Sequence, residues 1–333
     1  MRPGIDHPLT TGWRQLRAIS RATHLECLQQ PAVLLIAFAG VVATALIPLL
    51  QFHQFGEAGR LARDGALAYQ LTLGLALAVV AASSAIRREI DNGTASAALS
   101  KPLTRARFVM GKFYGVLRML TQFWYVLLAA MLLAERVAYR ITEVDGEPYG
   151  LADARAQIFL LLAPAVALAL AAVLHNRRRV RFCLAAFRLL TAMLTLGVAA
   201  AFAIDRAGRW APAAANLDLR IVPASILILA VILIFTALAT ALATRFNAGA
   251  SALVCVLVLG IGLTADTSAA WPAAFRLPVR LLPDIQSFWL CDNLANGGTI
   301  ATGYLLLAIF YAAAWSLAAL AAGVLAFRNR DMS

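Results

Sequence analysis

The sequence predicts an all-α polytopic membrane protein with about eight transmembrane helices: six, plus a pair that could be re-entrant. Both ends are expected on the cytoplasmic side, and an interfacial helix is expected before the first span. Three observations carry this. Of 333 residues, 62% are hydrophobic and only 14% charged, whereas soluble domains hold about 45–50% apolar and about 25% charged residues. The apolar residues are gathered into runs of membrane length. The basic residues are concentrated in every second connection between those runs. So much apolar surface cannot be hidden in soluble cores of this size. A soluble enzyme, a disordered tail, a collagen and a disulfide scaffold are all disfavoured.

A span needs about 20 apolar residues. Pro31–Gln51 is the first, Ala66–Ile86 the second and Val116–Ala134 the third. Ala156–Leu174, Leu184–Ile204 and Ile221–Ala243 follow, and Ala301–Phe327 is the last. No strand-like alternation interrupts them, and lipid requires each segment to satisfy its own backbone, so the runs read as helices. Gly249–Ala265 is the short one, set off from its predecessor only by Thr244–Ala248. It is expected to be a span or a re-entrant half-helix. Beyond it, Trp271–Gly298 is broken by Arg276, Pro278, Arg280, Pro283 and Asp284. That stretch reads as an outer-face amphipathic or partly re-entrant element.

With the N-terminus inside, the inner segments carry 17 basic and 5 acidic residues, against 10 basic and 12 acidic in the outer ones. Cytoplasmic loops carry the Lys/Arg excess, so both ends are placed inside. The net charge of +12 then reports topology and contact with anionic lipids, not nucleic acid. The chain divides into a cytoplasmic interfacial helix (1–30), a transmembrane domain (31–327, with an inner loop at 87–112) and a cytoplasmic tail (328–333). Met1–Gln30 is polar and Arg-bearing, unlike a cleavable leader. Within it, helical spacing puts Arg14, Arg17 and Arg21 on one face and Trp13, Leu16, Ile19, Thr23 and Cys27 on another. This is the pattern of a helix lying at a headgroup layer.

The inner loop Arg87–Lys112 is the most informative stretch. Asp91-Asn92-Gly93 is a turn signal. Thr94 can cap a short helix through its hydroxyl, and Ala95–Ser100 is small and helix-tolerant. Pro102 ends that helix, because a residue before proline avoids the α region. Thr104 can cap again, with Arg105–Lys112 leading into the third span. One or two turns of helix held between two spans could carry force from a soluble partner into the bilayer.

This stretch resembles the signature of ABC transporter permeases of the type-2 exporter class, "E…GT…LS-P-(S/T)R…F…GK", at the same place in the chain. The matching residues are Glu89, Gly93, Thr94, Leu99, Ser100, Pro102, Thr104, Arg105, Phe108, Gly111 and Lys112. The ending Phe327-Arg328-Asn329-Arg330-Asp331 is similar to the "F-x-R-R-D" common there, and an interfacial helix precedes the first span in that class. Members more often have six spans, so this chain carries an extra pair. The middle, from about 136 to 299, matches in hydropathy alone.

The resemblance implies a bacterial inner-membrane permease that pairs with a second copy or a related permease. It would dock a dimer of cytoplasmic ABC ATPase subunits through a coupling helix at Thr94–Ser100. Glu89 and its neighbouring arginines would set the height of that helix, and Gly111 would let the chain pass closely into the third span. ATP and magnesium would belong to the partner, and this chain is expected to be no enzyme and to hold no cofactor. The residues agree on the last point. A P-loop needs G-x-x-x-x-G-K-[ST], and the sole Gly-Lys pair, Gly111-Lys112, is followed by Phe113.

Other chemistries find little footing. Cys27, Cys183, Cys255 and Cys291 form no C-x-x-C, and His7, His24, His53 and His175 are scattered, so neither a disulfide framework nor a metal site is expected. Arg118 and Arg188 lie near the inner ends of their spans and can snorkel inward. No carboxylate sits at mid-span, which weighs against a gradient-driven carrier. A membrane-embedded enzyme acting on lipid intermediates is the remaining alternative, and the outer carboxylates propose no chemistry for it.

Overall fold

The computed structural model describes residues 8–50, 58–91, 104–138, 142–144, 147–149, 153–204, 209–210, 217–264, 282–295 and 298–328. Ten α-helices are described: α1 (Pro8–Leu28), α2 (Pro31–Leu46), α3 (Ala58–Asp91), α4 (Arg105–Val137) and α5 (Ala154–Arg178), then α6 (Phe182–Ala203), α7 (Ile221–Ala243), α8 (Ala248–Gly262), α9 (Cys291–Ala295) and α10 (Thr302–Arg328). Among the described residues, seven helical stretches are long and apolar enough to cross a membrane: Pro31–Leu50, Gly59–Arg87, Arg105–Val137, Ala154–Arg178, Phe182–Ala203, Ile221–Ala243 and Thr302–Phe327. The chain is a multi-pass helical membrane protein.

Local chemistry fixes several helix ends. Thr104 caps α4, its hydroxyl accepting from Arg107 N at 3.3 Å. Asp153 caps α5 through Ala156 N at 3.1 Å, and Asn247 caps α8 through Ala250 N at 2.8 Å. Each satisfies one of the orphan N–H groups of a first turn. Between α5 and α6 the chain reverses through Arg179, a left-handed residue with φ 54°, whose N–H bonds back to His175 O at 3.1 Å. Among the described residues a two-stranded hairpin pairs Thr142–Val144 with Glu147–Tyr149, and Ile204 forms an isolated antiparallel bridge with Trp210. The sequence places Asp145-Gly146 between these strands, and Asp-Gly is a strong two-residue hairpin signal. The expectation of an unbroken helical series overlooked it.

α3, α4 and α7 form the centre. Their apolar windows are 61%, 67% and 67% buried, against 28%, 28% and 22% for α5, α6 and α10. A polar staple ties the three central helices together. Ser225 Oγ donates to Gln70 Oε1 at 2.8 Å, Gln70 Nε2 donates to Trp124 O at 3.1 Å, and Trp124 Nε1 donates to Ser225 O at 2.8 Å. In lipid such bonds specify which helices meet, because apolar side chains gain little by leaving one apolar medium for another.

α7 and α10 run parallel. An added Cβ on Gly323 would meet Ala241 at 2.7 Å, and Arg245 donates to Ala326 O at 3.0 and 2.7 Å. The chain from 244 to 301 must therefore return along the whole bundle. α8 is part of that return, but its 15 residues reach only about 22 Å. Its last carbonyl, on Gly262, accepts from Ile285 N at 3.1 Å. From there a 3-10 turn at Gln286–Phe288 and α9 carry on, with Ile285, Phe288, Cys291 and Leu294 buried. Asp284 N donates to Tyr311 Oη at 3.1 Å and Tyr304 Oη donates to Ser287 O. These two bonds hang the irregular segment on the first turns of α10. The run expected over Gly249–Ala265 is a helix at Ala248–Gly262, shorter than a full span, and its C-terminal carbonyl is packed against irregular chain at Ile285. Irregular backbone at membrane depth is tolerable when protein buries it.

Candidate coupling face

The start of α4 is the meeting point of four helices. α1 runs beside it, in parallel and in register. Arg107 Nη1 donates to Gln15 Oε1 at 3.5 Å. One turn on, an added Cβ on Gly111 would lie 2.7 Å from Ile19, and another turn on, one on Gly115 would lie 2.5 Å from Thr23 and 2.9 Å from Ser20 O. The pairs 15/107, 19/111 and 23/115 advance together, four residues at a time. Gly111 and Gly115 form a G-x-x-x-G, the small-residue spacing that lets two helix backbones approach. α4 has 33 residues, about 50 Å, against a hydrocarbon core of about 30 Å. α1 lies beside the first turns of α4, from Arg107 to Gly115. Arg14, Arg17 and Arg21 are exposed and Thr23 and Cys27 are buried, so the apolar stripe faces α4. Trp13, expected on that stripe, is instead 65% exposed.

Lys112 is the electrostatic hub. Its side chain is only 4% exposed. It bonds Glu89 Oε1 at the end of α3, lies 3.8 Å from Glu26 Oε2 on α1, and sits 5.9 Å above the Phe108 ring. Burying an ammonium is costly unless it is paired, and here one cation holds the ends of α1 and α3 against α4. Arg105 makes the fourth connection. Its Nη1 donates to Phe327 O at 3.0 Å, its guanidinium lies 5.7 Å over the Phe327 ring, and Phe108 stacks on the same ring at 6.1 Å. Arg105 and Arg245 thereby cap the last carbonyls of α10, where a cation is favoured by the helix dipole.

Of the residues singled out in the sequence, Glu89, Arg105, Gly111 and Lys112 come together at this joint, with Phe108 and Phe327. Gly93, Thr94, Leu99, Ser100 and Pro102 lie outside the described residues. The sequence reading missed Glu26, which sits 86 positions from Lys112, and missed Gly115, which the G-x-x-x-G spacing would have found.

A second polar centre lies at the opposite end of α4. Arg136 and Asp153 are 4% and 5% exposed and paired at 2.7 Å. Arg136 also donates to Ala201 O at 2.5 Å and Ile204 O at 2.7 Å, closing the end of α6. Among the described residues no three His, Cys, Asp or Glu side chains are grouped to hold a metal. The chain matches no family model and none of the curated proteins.

His24 adds a pH response to the α1 seat. Its Nδ1 is buried with no hydrogen-bond partner among the described residues. Burial lowers its pKa from the ordinary 6.5, and Arg118 and Arg188 lower it further. The folded state therefore holds fewer protons on this residue than the unfolded one, and stability falls as pH drops through about 6.5. Above that value the α1 seat is at full strength. Amide exchange along α1, corrected for intrinsic rates, is expected to speed up severalfold from about pH 7.5 to about pH 5. His24→Gln should flatten the profile. An unchanged slope in that variant would assign the effect elsewhere.

Proposed function

We propose that this chain is the transmembrane permease subunit of an ATP-driven transporter of the ABC type-2 exporter class. In this reading it works with a second permease copy or a related permease and with a cytoplasmic ATPase dimer that holds ATP and magnesium. α8 and the segment after it make a broken seventh crossing, which gives eight passes with both ends inside. α1 then stands under the inner leaflet beside α4, and the chain resides in a bacterial inner membrane.

The observation that carries the reading is the joint at both ends of the 92–103 segment. α3 leads into it at Glu89 and α4 leaves it at Arg105. Lys112 and Phe327 tie both helices to α1 and α10. A load on that segment is delivered to four helices at once, which is what an external motor requires of its lever. The signature residues Gly93, Thr94, Leu99, Ser100 and Pro102 occupy the lever itself.

Replacing Thr94–Ser100 by a Gly/Ser linker tests this. The purified chain should show no ATPase activity of its own. A nucleotide-binding protein should co-purify with the native chain and be lost with the linker variant, along with ATP-driven transport. If docking and transport both survive the linker, the coupling assignment is wrong.

A further inference from the structure

The other surface with chemistry of its own lies between α5 and α6, away from the joint. Two cavities open there. One, of about 350 Å³, lies under Arg136 and Asp153 and is walled by Phe159, Leu196 and Gly197. The other, of about 470 Å³, is walled by Ile158, Leu162, Val166 and Met193. Both volumes fall in the range of ligand sites. Arg155 and Phe159 line both cavities, so the two are halves of one cleft. The Phe159 ring lies on Gly197, where an added Cβ would sit 2.3 Å from the ring edge. This close approach lets the ring lie down as a partition instead of standing in the cleft.

The cleft is polar at one end only. From Arg155 to Val166 it follows α5 for about 16 Å, half of the hydrocarbon thickness and so the depth of one leaflet. Its walls beyond the first turn are apolar, and Ile158, Leu162 and Val166 are 57%, 54% and 39% exposed. At the mouth, the charges of Arg136 and Asp153 cancel in their buried pair. Arg155 is exposed and has no hydrogen-bond or ion-pair partner among the described residues. It sits in the first turn of α5, where the helix dipole also favours an anion. Among the described residues that line it, the mouth therefore carries one uncompensated positive charge, at headgroup level above an apolar slot of leaflet depth.

We infer that this cleft is a binding site for an anionic phospholipid, with the phosphate on Arg155 and one acyl chain lying along Ile158, Leu162, Val166 and Met193. The assignment needs only that α5 and α6 span the membrane, and it stands whether or not an ATPase drives the protein. Charge complementarity separates this occupant from a second copy of the chain, which would have to bring a carboxylate to Arg155. One basic side chain near an anionic surface favours the anionic lipid about fivefold.

The full chain is reconstituted in nanodiscs holding equal amounts of phosphatidylglycerol and phosphatidylcholine, one of them carrying a diazirine on its acyl chain. After illumination, adducts are mapped by peptide mass spectrometry. Phosphatidylglycerol is expected to label α5 and the Met193 peptide about fivefold more than phosphatidylcholine. Arg155→Gln should remove that excess and leave the phosphatidylcholine signal unchanged. Leu162→Trp, which fills the slot but keeps the arginine, should suppress adducts of both lipids there. Equal labelling by the two lipids, or an Arg155→Gln variant that keeps the excess, overturns the assignment. Two further outcomes also overturn it: competition by inorganic phosphate, which marks a site for the free anion, and chain-to-chain contact covering α5, which marks a site for a second copy.

Discussion

Replacing Arg136 with alanine is expected to destabilise the protein by about 3–5 kcal/mol, the cost of breaking a buried ion pair from one side. The size of the effect follows from what is left behind. Asp153 is 5% exposed and its Oδ2 has Arg136 2.7 Å away. Its Oδ1 is already used in capping α5. Without the guanidinium, a carboxylate stays buried with no ion-pair partner among the described residues. The carbonyls of Ala201 and Ile204 lose their donors as well, and each unsatisfied buried acceptor adds about 1–3 kcal/mol if water cannot reach it. Arg136→Met combined with Asp153→Asn separates the causes. Asparagine still caps α5 but carries no charge, so the double variant should recover more than half of the loss. Unfolding in a detergent titration measures both. A single variant within about 1 kcal/mol of the native protein would mean that water already reaches Asp153.

How far the sequence disclosed this molecule depended on the range of the interaction concerned. The apolar runs and the Thr104 cap involve neighbours within a few residues, and both are found where expected. The same holds for the faces of α1: Arg14, Arg17 and Arg21 are exposed, and Thr23 and Cys27 are buried. What covers the stripe was not legible. A helical period shows that one face avoids water, but not whether lipid or another helix shelters it. Here α4 does so, and Trp13 lies off the seam. The end of α8 was obscured for a related reason. Hydropathy runs on through Leu263 toward Ala265, but α8 ends at Gly262, whose carbonyl is taken by Ile285 N from a distant segment. The same limit hid Glu26 and Asp153, acids visible in the sequence whose partners are chosen only by the fold.

α4 links the two polar centres. Its first turns hold Arg105, Gly111 and Lys112 in the joint, and its last turn holds Arg136 against α5 and α6. It is a single helix without proline over all 33 residues, so a displacement at Lys112 is carried along a stiff rod to the end of α6. If a motor acts on the 92–103 segment, the α5–α6 cleft lies at the far end of the helix that motor moves.

The sharpest test of that linkage is Gly115→Val. The added atoms would meet Thr23 Cβ at 2.5 Å and Ser20 O at 2.9 Å. The second of these is backbone, so no rotamer change on α1 relieves it. α1 must move off α4, with an overpacking cost of about 1–3 kcal/mol. Disulfide trapping reads the seat directly: Gln15→Cys with Arg107→Cys should cross-link in the native background and fail with Gly115→Val. If the chain is the proposed ATP-driven permease, transport is expected to fall at least about tenfold, because about 1.4 kcal/mol of lost coupling suffices for that. On the same proposal the partner ATPase should still co-purify, since the proposed docking segment is untouched. Lys112→Met makes the useful contrast. Glu89 and Glu26 are 28% and 43% exposed, so water can take over part of the solvation that the ammonium gives up. Its effect should be nearer the cost of an exposed pair, up to about 1 kcal/mol, with α1 still cross-linkable to α4. If Lys112→Met proves more damaging than Gly115→Val, the joint is held by charge and not by backbone proximity. α1 would then be a bystander to the movement of α4.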